Sequence, residues 1–354
     1  MATVGTCSLL LATSGCAPHV KQNAGEAQIH YQLAGDYFRH RRVEAALDEL
    51  QKALANDPNN ADAYNLLGLI GLQQGAEYLA QVDRAVNLAL AHGLAVVIDL
   101  HPESEFKARL TRDDGFVEQF ADFWRALAKH YSKFDPELVF LEILNEPELT
   151  DRFRWIGIQA KVASAIRESA PRHTMIATGA RWSANDELLF LEPLADTNVI
   201  YTFHFYEPHV FTHQGANWGA YYWNWVRGLR YPSNREAAEK VAASVPDEVS
   251  RLYVLRYGME HWDGDRIEME INQVAEWARR RGVPVICNEF GVYRKYADDH
   301  DRVAWLSDVR RALERHAIGW TVWDYSGSFG VVTKSEGRAV PDESTLKALG
   351  LKVE

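Results

Sequence analysis

The feature that most constrains the fold is a series of short, predominantly apolar segments that recur from residue 77 onward. Apolar runs of this length, without alternating polar residues, are typical of parallel strands buried on both faces. Six such runs are present, at residues 94–100, 138–144, 174–179, 199–205, 283–287 and 318–323. Amphipathic segments lie between them, and the clearest predicted helices are residues 77–92, 116–131, 153–168, 267–281 and 302–316.

This alternation of strand and helix continues over about 275 residues, which predicts an α/β fold built on a parallel sheet. We interpret it as a (β/α) barrel of the TIM type. A doubly wound sheet is the alternative, but no glycine-rich phosphate loop follows any of the predicted strands. The sequence therefore favours the barrel.

Reactive or polar side chains stand at the end of every predicted strand. They are His101, Asn145 with Glu146, Arg181 with Trp182, His204 with Tyr206, Asn288 with Glu289, and Trp323 with Asp324. In a (β/α) barrel the carboxyl ends of the strands converge on one face, where the active site lies. One strand-end residue often only caps a loop, but six strands that all end this way predict a shared pocket.

Two of these residues, Glu146 and Glu289, are glutamates that directly follow an asparagine. Two carboxyl groups across a cleft suit the cleavage of a glycosidic bond, because one donates a proton to the leaving oxygen while the other, ionised, attacks the anomeric carbon. A metal-dependent hydrolase is the competing interpretation. It would need histidine or aspartate at ligand spacing beside the glutamates, and we predict no such metal site and no cofactor.

Residues 77 to about 350 closely resemble glycoside hydrolase family 5, the cellulase-like family of barrel enzymes with glutamates on the fourth and seventh strands. The combination of matching stretches is very specific, although Asn-Glu-Pro alone is only moderately so. In the family's order, the stretches are residues 97–101 (VIDLH), 144–147 (LNEP), 204–206 (HFY), 288–291 (NEFG) and 323–324 (WD).

The resemblance implies a role for each matching polar residue. Glu146 matches the general acid/base, and Glu289 matches the nucleophile of a retaining mechanism. Asn145 matches the residue that hydrogen-bonds the sugar 2-hydroxyl. His101 and His204 match strand-end histidines that line the cleaved subsite.

Aromatic residues complete the implied site. By the same resemblance, Tyr206 matches the tyrosine that orients the nucleophile, and Trp323 matches the platform under the sugar before the cleaved bond. Aromatic faces suit sugars because the C–H faces of the sugar pack on the rings. On this ground Trp182, after the third apolar run, and Trp218, which begins the aromatic stretch 218–225, are also predicted to bind substrate.

The resemblance also indicates what the chain lacks. The family barrel has eight strands, whereas six are predicted here, and the run at residues 94–100 matches the third. The first two strands are missing, together with the arginine that family members place beside the nucleophile. We therefore predict an N-terminally truncated barrel over residues 76–354, fused near Gly75 to a segment of different origin.

The tryptophan content supports two unlike parts, because all 11 tryptophans lie between Trp124 and Trp323. Residues 21–75 are predicted to form helices that resemble a tetratricopeptide repeat followed by half of another, as in lipoproteins that assist pilus assembly. An ordinary helical hairpin is the alternative. A repeat segment would imply a protein partner. The residues at the repeat offsets are Leu33, Ala34, Tyr37, Ala46, Leu50, Ala53 and Pro58.

Residues 1–20 resemble a bacterial lipoprotein signal, in which an apolar stretch and small residues precede a cysteine that is lipidated, here Cys16. This predicts export, with the protein periplasmic, secreted or anchored to the outer membrane through Cys16. An untargeted apolar N-terminus is the alternative. The cysteines Cys7, Cys16 and Cys287 make no disulfide framework.

The net charge of −11 over 354 residues argues against nucleic acid as a partner. No run of 18 apolar residues predicts a membrane-spanning helix. The main prediction is a retaining, endo-acting β-1,4-glucanase of the cellulase type. Two alternatives stay open, namely a mannanase or β-1,3-glucanase on the same barrel, and a helical-repeat lipoprotein scaffold with a catalytically impaired barrel.

Overall fold

The computed structural model describes residues 23–335 and 338–352. The chain divides into two compact units, Met1–Gly93 and Leu94–Glu354. Cys7 and Cys16, with the predicted lipoprotein signal, lie outside the described residues. Within those residues, no helix combines the length and apolar character needed to cross a membrane.

The first unit contains three helices, α1 (Ala24–Arg39), α2 (Val43–Asn56) and α3 (Ala61–Ala91). The side chains of Asn23 and Asn60 cap α1 and α3 by accepting hydrogen bonds from backbone N–H groups in the first turn. The helices pack around small buried residues that allow close approach, together with larger apolar ones. This core consists of Ala34, Ala46, Leu50, Ala53, Ala63 and Ile70.

Helix α3 differs from the prediction of a join near Gly75 followed by a new helix at residues 77–92. One helix runs through Gly75 without interruption and ends before Gly93, whose positive φ of 74° ends it. No proline interrupts this stretch, and a glycine inside a helix costs only about 1 kcal/mol. The tetratricopeptide identity of residues 21–75 and the domain boundary at 75–76 stay predictions.

The second unit is built on a parallel six-stranded sheet in which each strand pairs with the next along the chain. Each predicted apolar run overlaps one strand, which confirms the predicted α/β fold with a parallel sheet. The strands are β1 (Val96–Asp99), β2 (Val139–Glu142), β3 (Met175–Thr178), β4 (Val199–Phe205), β5 (Val285–Phe290) and β6 (Gly319–Trp320).

Helices connect these strands, and an antiparallel hairpin, β7 (Val332–Ser335) with β8 (Arg338–Pro341), follows the sheet. A 3₁₀ turn spans Tyr221–Trp225. The remaining helical segments are α4 (Ser104–Arg112), α5 (Asp114–Tyr131), α6 (Arg152–Ser169), α7 (Ala180–Ser183), α8 (Asn185–Leu188), α9 (His209–Thr212), α10 (Arg235–Ser244), α11 (Glu248–Met259), α12 (Gly264–Arg281), α13 (Asp299–Arg315) and α14 (Glu343–Ala348).

Helices α5, α6, α12 and α13 confirm the four helices predicted between the strands, although each begins one to three residues earlier than predicted. The reason is local. In each case an aspartate side chain accepts a hydrogen bond from a backbone N–H of the first turn, so the helix begins at this cap rather than at the first apolar residue. The caps are Asp113, Asp151, Asp263 and Asp298.

The sheet is most buried at its centre. Every residue of β3 is buried, whereas β1 at one edge has a single buried residue, Ile98, and β6 at the other edge has none. Across residues 23–335 and 338–352, no further strand pairs with the outer edge of β1 or β6. The sheet is therefore an open half-barrel, in agreement with the prediction that two strands are missing.

Candidate active site

Residues at the carboxyl ends of β2, β4 and β5 include the predicted glutamate pair and a histidine that lies between the two glutamates. Glu146 follows β2, His204 lies in β4, and Glu289 lies in β5 as the register partner of His204. The pairing of β4 with β5 shifts between Phe203 and His204. An irregularity of this kind re-aims the side chains beside it, and here it accompanies the turn of His204 toward both glutamates.

The two glutamates lie close together with the His204 ring between them. Nδ1 of His204 is 3.0 Å from Oε1 of Glu146, and Nε2 is 3.6 Å from Oε2 of Glu289. One oxygen of each glutamate and one ring nitrogen lie within 4.8 Å of one another. Retaining glycosidases hold their carboxyl groups about 5–5.5 Å apart, and inverting enzymes about 6.5–9.5 Å apart. The geometry fits the shorter class.

The backbone positions Glu146 through an unusual local conformation. Its φ is 45°, in the left-handed region that a residue with a Cβ rarely adopts. The preceding Asn145 is buried, and its backbone N–H donates to the carbonyl of Leu100 at 3.0 Å. Strain of this kind concentrates at functional sites. It holds Glu146, whose side chain is 27% exposed, at the edge of the cleft.

Glu289 is the more buried of the two, with 13% of its side chain exposed. The Tyr206 hydroxyl donates a hydrogen bond to its Oε1 at 2.6 Å, which agrees with the orienting tyrosine implied by the resemblance. Burial raises the pKa of Glu289, and the negative charge of Glu146 adds to this rise. The charge of His204 and the Tyr206 hydrogen bond lower the pKa but do not cancel the rise.

The pKa of Glu146 shifts in the opposite direction. Burial raises it, but the hydrogen bond and charge of His204, with the charges of Lys107 and His101, outweigh burial and lower the pKa overall. Burial disfavours the His204 cation, yet the two glutamates raise its pKa to about 9. In the free protein the proton therefore favours Glu289 over Glu146, the reverse of the order that the implied roles require.

The end of β1 carries a second histidine, His101, next to the predicted sugar platform. Its Nε2 lies 2.6 Å from Oδ2 of Asp99. Burial lowers the pKa of His101, but the hydrogen bond and charge of Asp99 raise it overall. The Trp323 ring stacks on His101 with 5.9 Å between centroids and 15° between planes. The structure thus brings His101 and Trp323 together.

Trp182 lies beside the loop that carries Glu146. Three successive residues, Arg181, Trp182 and Ser183, have positive φ values of 47°, 60° and 56°. The backbone N–H of Trp182 donates to the carbonyl of Pro147, the residue after Glu146, at 2.8 Å. Half of the Trp182 side chain is exposed, so an aromatic surface is available next to the acid/base candidate.

The aromatic stretch predicted as a substrate wall divides into two groups. Tyr222 stacks on Tyr253 at 3.9 Å, and Trp223 stacks on His209 at 5.5 Å, so both rings are used inside the protein. Trp218 stays exposed and contacts Phe329, which in turn contacts Tyr206. Only the exposed members of the stretch are available to a ligand, and these are Trp218, Tyr221 and Trp225.

Among the described residues, two groups of side chains have the composition of a metal site. In the group of Asp298, His300 and Asp301, both aspartates are already paired with the guanidinium of Arg230. In the group of Glu146, His204 and Glu289, opposite nitrogens of one ring face the two carboxylates. This arrangement suits a hydrogen-bond donor between two acids better than a ligand that shares one ion with them.

The sequence interpretation overlooked one histidine spacing. His209 and His213 are four residues apart, as in many metal sites, but their rings stack on each other at 5.2 Å. His209 Nδ1 lies 3.1 Å from the Glu207 carboxylate. The pair therefore belongs to an aromatic layer behind Tyr206, whose ring is 5.0 Å from His213.

Three charged residues of the site were not predicted as functional. Lys107 on α4 acts on Glu146 through its charge, and Asp99 holds His101. Glu142, at the end of β2, is buried and accepts a hydrogen bond from Asn288 at 2.7 Å. For Asp99 and Glu142 the sequence contains a signal, since each is a charged residue inside an apolar strand segment. No local pattern identifies Lys107.

Known proteins resemble the chain over most of its length. The model of the family described as cellulase (glycosyl hydrolase family 5) matches residues 13–328. Endoglucanase 3 of Fibrobacter succinogenes is 28% identical over 279 residues, which are 76% of this chain but only 42% of that relative. Endoglucanase C of Acetivibrio thermocellus is 29% identical over 253 residues, which are 70% of this chain and 72% of the relative.

Solved structures of Thermotoga maritima Cel5A resemble the fold. A mutant form in complex with cellobiose is 29% identical with a TM-score of 0.63, and the likeness covers 77% of each chain. The same protein in complex with mannotriose is 28% identical with a TM-score of 0.62 and covers 77% of this chain and 78% of that one. The likeness in fold thus extends over more than three quarters of the chain.

Proposed function

The chain belongs to the cellulase family, glycosyl hydrolase family 5, and from this membership we propose that it is a retaining glycoside hydrolase that cleaves β-1,4-glucan. One observation carries the proposal, namely that carboxylate oxygens of Glu146 and Glu289 lie within 4.8 Å of a His204 ring nitrogen and of each other. That spacing leaves no room for the water that an inverting enzyme places opposite the leaving group.

In the proposed first step, a Glu289 oxygen attacks the anomeric carbon and forms a covalent glycosyl ester. The bond from that carbon to the leaving oxygen breaks, and Glu146 gives its proton to this oxygen. In the second step, Glu146 takes a proton from water, whose oxygen displaces Glu289. The sugar leaves with its original anomeric configuration.

The first step needs the proton on Glu146 and a negative charge on Glu289, whereas the pKa directions of the free protein favour the reverse. His204 offers a direct path between the two acids, since its two ring nitrogens face one glutamate each. When the neutral ring carries its proton on Nδ1, Nε2 can take the proton of Glu289, and the imidazolium so formed donates its Nδ1 proton to Glu146. The net result is the productive arrangement, with the ring neutral again and its remaining proton on Nε2.

Aromatic surfaces support a sugar chain as the substrate. Trp323 and Trp182 are both partly exposed near the glutamates, and Trp218 extends the aromatic surface from Tyr206. Sugar C–H faces pack on such rings. We assign Trp323 to the sugar before the cleaved bond and Trp182 to the sugar after it, with Asn145 near the 2-hydroxyl.

The test is the release of reducing ends by the full chain from soluble β-1,4-glucan, mannan and β-1,3-glucan. We expect release from β-1,4-glucan, its loss in Glu289→Gln, and its retention in the control Glu239→Gln, which changes an exposed glutamate on α10. EDTA should leave the activity unchanged. Undiminished activity in Glu289→Gln would refute the assignment.

A mannanase is the nearest alternative, because a structural neighbour is known in complex with mannotriose as well as cellobiose. Faster release of reducing ends from mannan than from β-1,4-glucan would favour a mannanase. Faster release from β-1,3-glucan would favour a β-1,3-glucanase.

A scaffold with an impaired barrel is the alternative of a different class. The open edges of the sheet and the raised pKa of Glu289 favour it. The absence of product from all three polysaccharides, in a protein that folds, would support this alternative.

For the N-terminal part we propose a tetratricopeptide-like segment at residues 21–75 that binds a protein partner. We also propose export, with membrane anchoring through a lipidated Cys16. The apolar stretch and small residues before Cys16 support the anchor. Labelling of cells with radioactive palmitate tests it, because the label should enter the full chain and be absent from Cys16→Ala.

A further inference from the structure

A second pair of carboxyl groups, Asp99 and Glu142, lies in the interior of the sheet. The two residues are register partners at the ends of the adjacent parallel strands β1 and β2. Register partners in a sheet project their side chains from the same face, at a strand separation of about 4.8 Å. Glu142 is 1% exposed, so the pair lies at the inner side of the site.

One oxygen of Glu142 is tied to the strand that carries Glu289. Asn288 donates from Nδ2 to Oε2 of Glu142 at 2.7 Å, and Thr202 donates from Oγ1 to Oδ1 of Asn288 at 2.5 Å. These contacts link β2 to β5 and β4 across the interior of the half-barrel. Because Asn288 directly precedes Glu289, the position of the nucleophile candidate depends on this link.

Among the described residues, the other oxygen of Glu142 has no hydrogen-bond partner, and neither has Oδ1 of its register partner Asp99. In the described part of the chain, no lysine or arginine forms an ion pair with either residue, and the histidine His101 bonds to the other oxygen of Asp99. A buried carboxylate such as Glu142, with no ion pair of its own and a second carboxylate beside it, is strongly unfavourable. A single proton between them removes this cost.

The charged groups around Glu142 agree with a bound proton. Burial and the negative charges of Asp99 and Glu289 raise its pKa, which is about 8 overall. The charge of His204 on β4 and the Asn288 hydrogen bond act in the opposite direction without cancelling this rise.

We propose that Asp99 and Glu142 share one proton, held on Oε1 of Glu142, and that neutral Glu142 is a positioning residue for Glu289 through Asn288. The proton leaves Oε2 as an acceptor for the Asn288 amide. It also withholds one negative charge from the surroundings of Glu289, which must itself ionise. The catalytic consequence rests on the proposed function, whereas the protonation does not.

Infrared difference spectra between pH 5 and pH 9 test the protonation directly, since the C=O stretch of a carboxylic acid is distinct from that of a carboxylate. We expect wild type to lose a carboxylic-acid band with a midpoint near pH 8. Glu289→Gln should retain this transition, and Glu142→Gln should lack it, with circular dichroism showing that each variant is folded. The same transition in Glu142→Gln, or ionisation of Glu142 near its ordinary pKa of 4.5, would overturn the proposal.

Kinetics with two substitutions test the positioning role. Glu142→Gln is neutral and keeps the acceptor for Asn288, whereas Glu142→Leu removes it. We expect Glu142→Gln to retain about ten times the kcat of Glu142→Leu at similar KM, in line with one lost buried hydrogen bond. Equal kcat values in the two variants would refute the positioning role. A protein that hydrolyses no glucan would refute the proposed function and leave the infrared result to decide the shared proton.

Discussion

Glu146 and Glu289 are the same residue type, each follows an asparagine, and they lie within one small site, yet their surroundings differ. Glu146 is more exposed and has three cationic neighbours, His204, Lys107 and His101, which lower its pKa. Glu289 is more buried, and the hydrogen bond from Tyr206 together with the charge of His204 does not offset its burial. The sequence motifs therefore identify the two candidate catalytic residues, but the surrounding side chains decide which of the two holds a proton more strongly.

The missing part of the sheet gives a physical reason for this difference. By resemblance, family members place an arginine beside the nucleophile, on a strand that the described residues do not contain, and a cation there would lower the pKa of Glu289. In the described residues that contribution comes from the charges of His204 and His101, which also act on Glu146. The two glutamates therefore titrate as one coupled system with His204.

The largest expected effect is a difference between the Glu146 and Glu289 variants that depends on the leaving group of the substrate. Glu146→Gln should lose about 10²- to 10⁴-fold in kcat/KM on β-glucan, because general acid catalysis is worth that much. It should lose far less on an aryl cellobioside with a good leaving group, which departs without a proton. Glu289→Gln should lose activity on both substrates.

Parallel rate measurements on the two substrates check this prediction. If the losses of Glu146→Gln and Glu289→Gln do not depend on the leaving group, the assignment of different roles to the two residues is wrong.

His204 is the residue that the two environments share, so its removal should affect both. His204→Gln takes away the cation that lowers the pKa of Glu146 and of Glu289. We expect both limbs of the pH profile of kcat/KM to move to higher pH and the maximum to fall about 10²-fold, for one charged hydrogen bond to Glu146 and one ion pair with Glu289. The control is His316→Gln, which removes a similar contact to Glu268 on the outer helices. An unshifted profile in His204→Gln would contradict the shared role.

Tyr206→Phe should change the pKa of Glu289 and leave that of Glu146 unchanged. The loss of the donor at 2.6 Å raises the pKa of Glu289 further, so the acidic limb of kcat/KM should move to higher pH while the alkaline limb stays. The rate should fall about 10- to 100-fold, for one hydrogen bond to a charged group. Tyr293→Phe, in the same aromatic cluster, is the matched control. An equal effect of both substitutions would indicate a packing change instead.

The smallest effect on activity is expected from a substitution of Trp182, the aromatic residue next to Glu146. Trp182→Ala should raise KM for long glucans about threefold to tenfold, for one lost aromatic stacking contact, and change kcat little. Phe153→Ala, which alters a 79% exposed ring on α6, serves as the control. Steady-state kinetics on glucans of increasing length make the comparison, and a fall in kcat without a rise in KM would place Trp182 outside the substrate path.

Much of the fold was predictable because local patterns reflect burial. Continuous apolar runs indicated all six strands, and the helices between them followed from their periodicity, with starts displaced only by aspartate caps such as Asp113. Helix α3 was predicted wrongly at Gly75, since the change of pattern there does not interrupt the backbone hydrogen bonds.

The residues of the candidate site also fall into those that the sequence predicted and those that it did not. The identities of Glu146, Glu289, Tyr206 and Trp323 followed from strand ends and resemblance, and the structure brings the four residues into one site. Lys107 and the division of the aromatic stretch were not predictable, because both depend on neighbours that no local pattern specifies.

The sequence by itself determined the order of strands and helices and which side chains stand at the strand ends, because periodicity and caps act over a few residues. The tertiary structure alone decided that His204 lies between the two glutamates, that Glu289 favours the proton, and that Glu142 lies next to Asp99. The physical reason is that a pKa depends on burial and on charges within a few ångströms, and strand register brings together charges that are far apart in the sequence, such as those of Glu142 and Glu289.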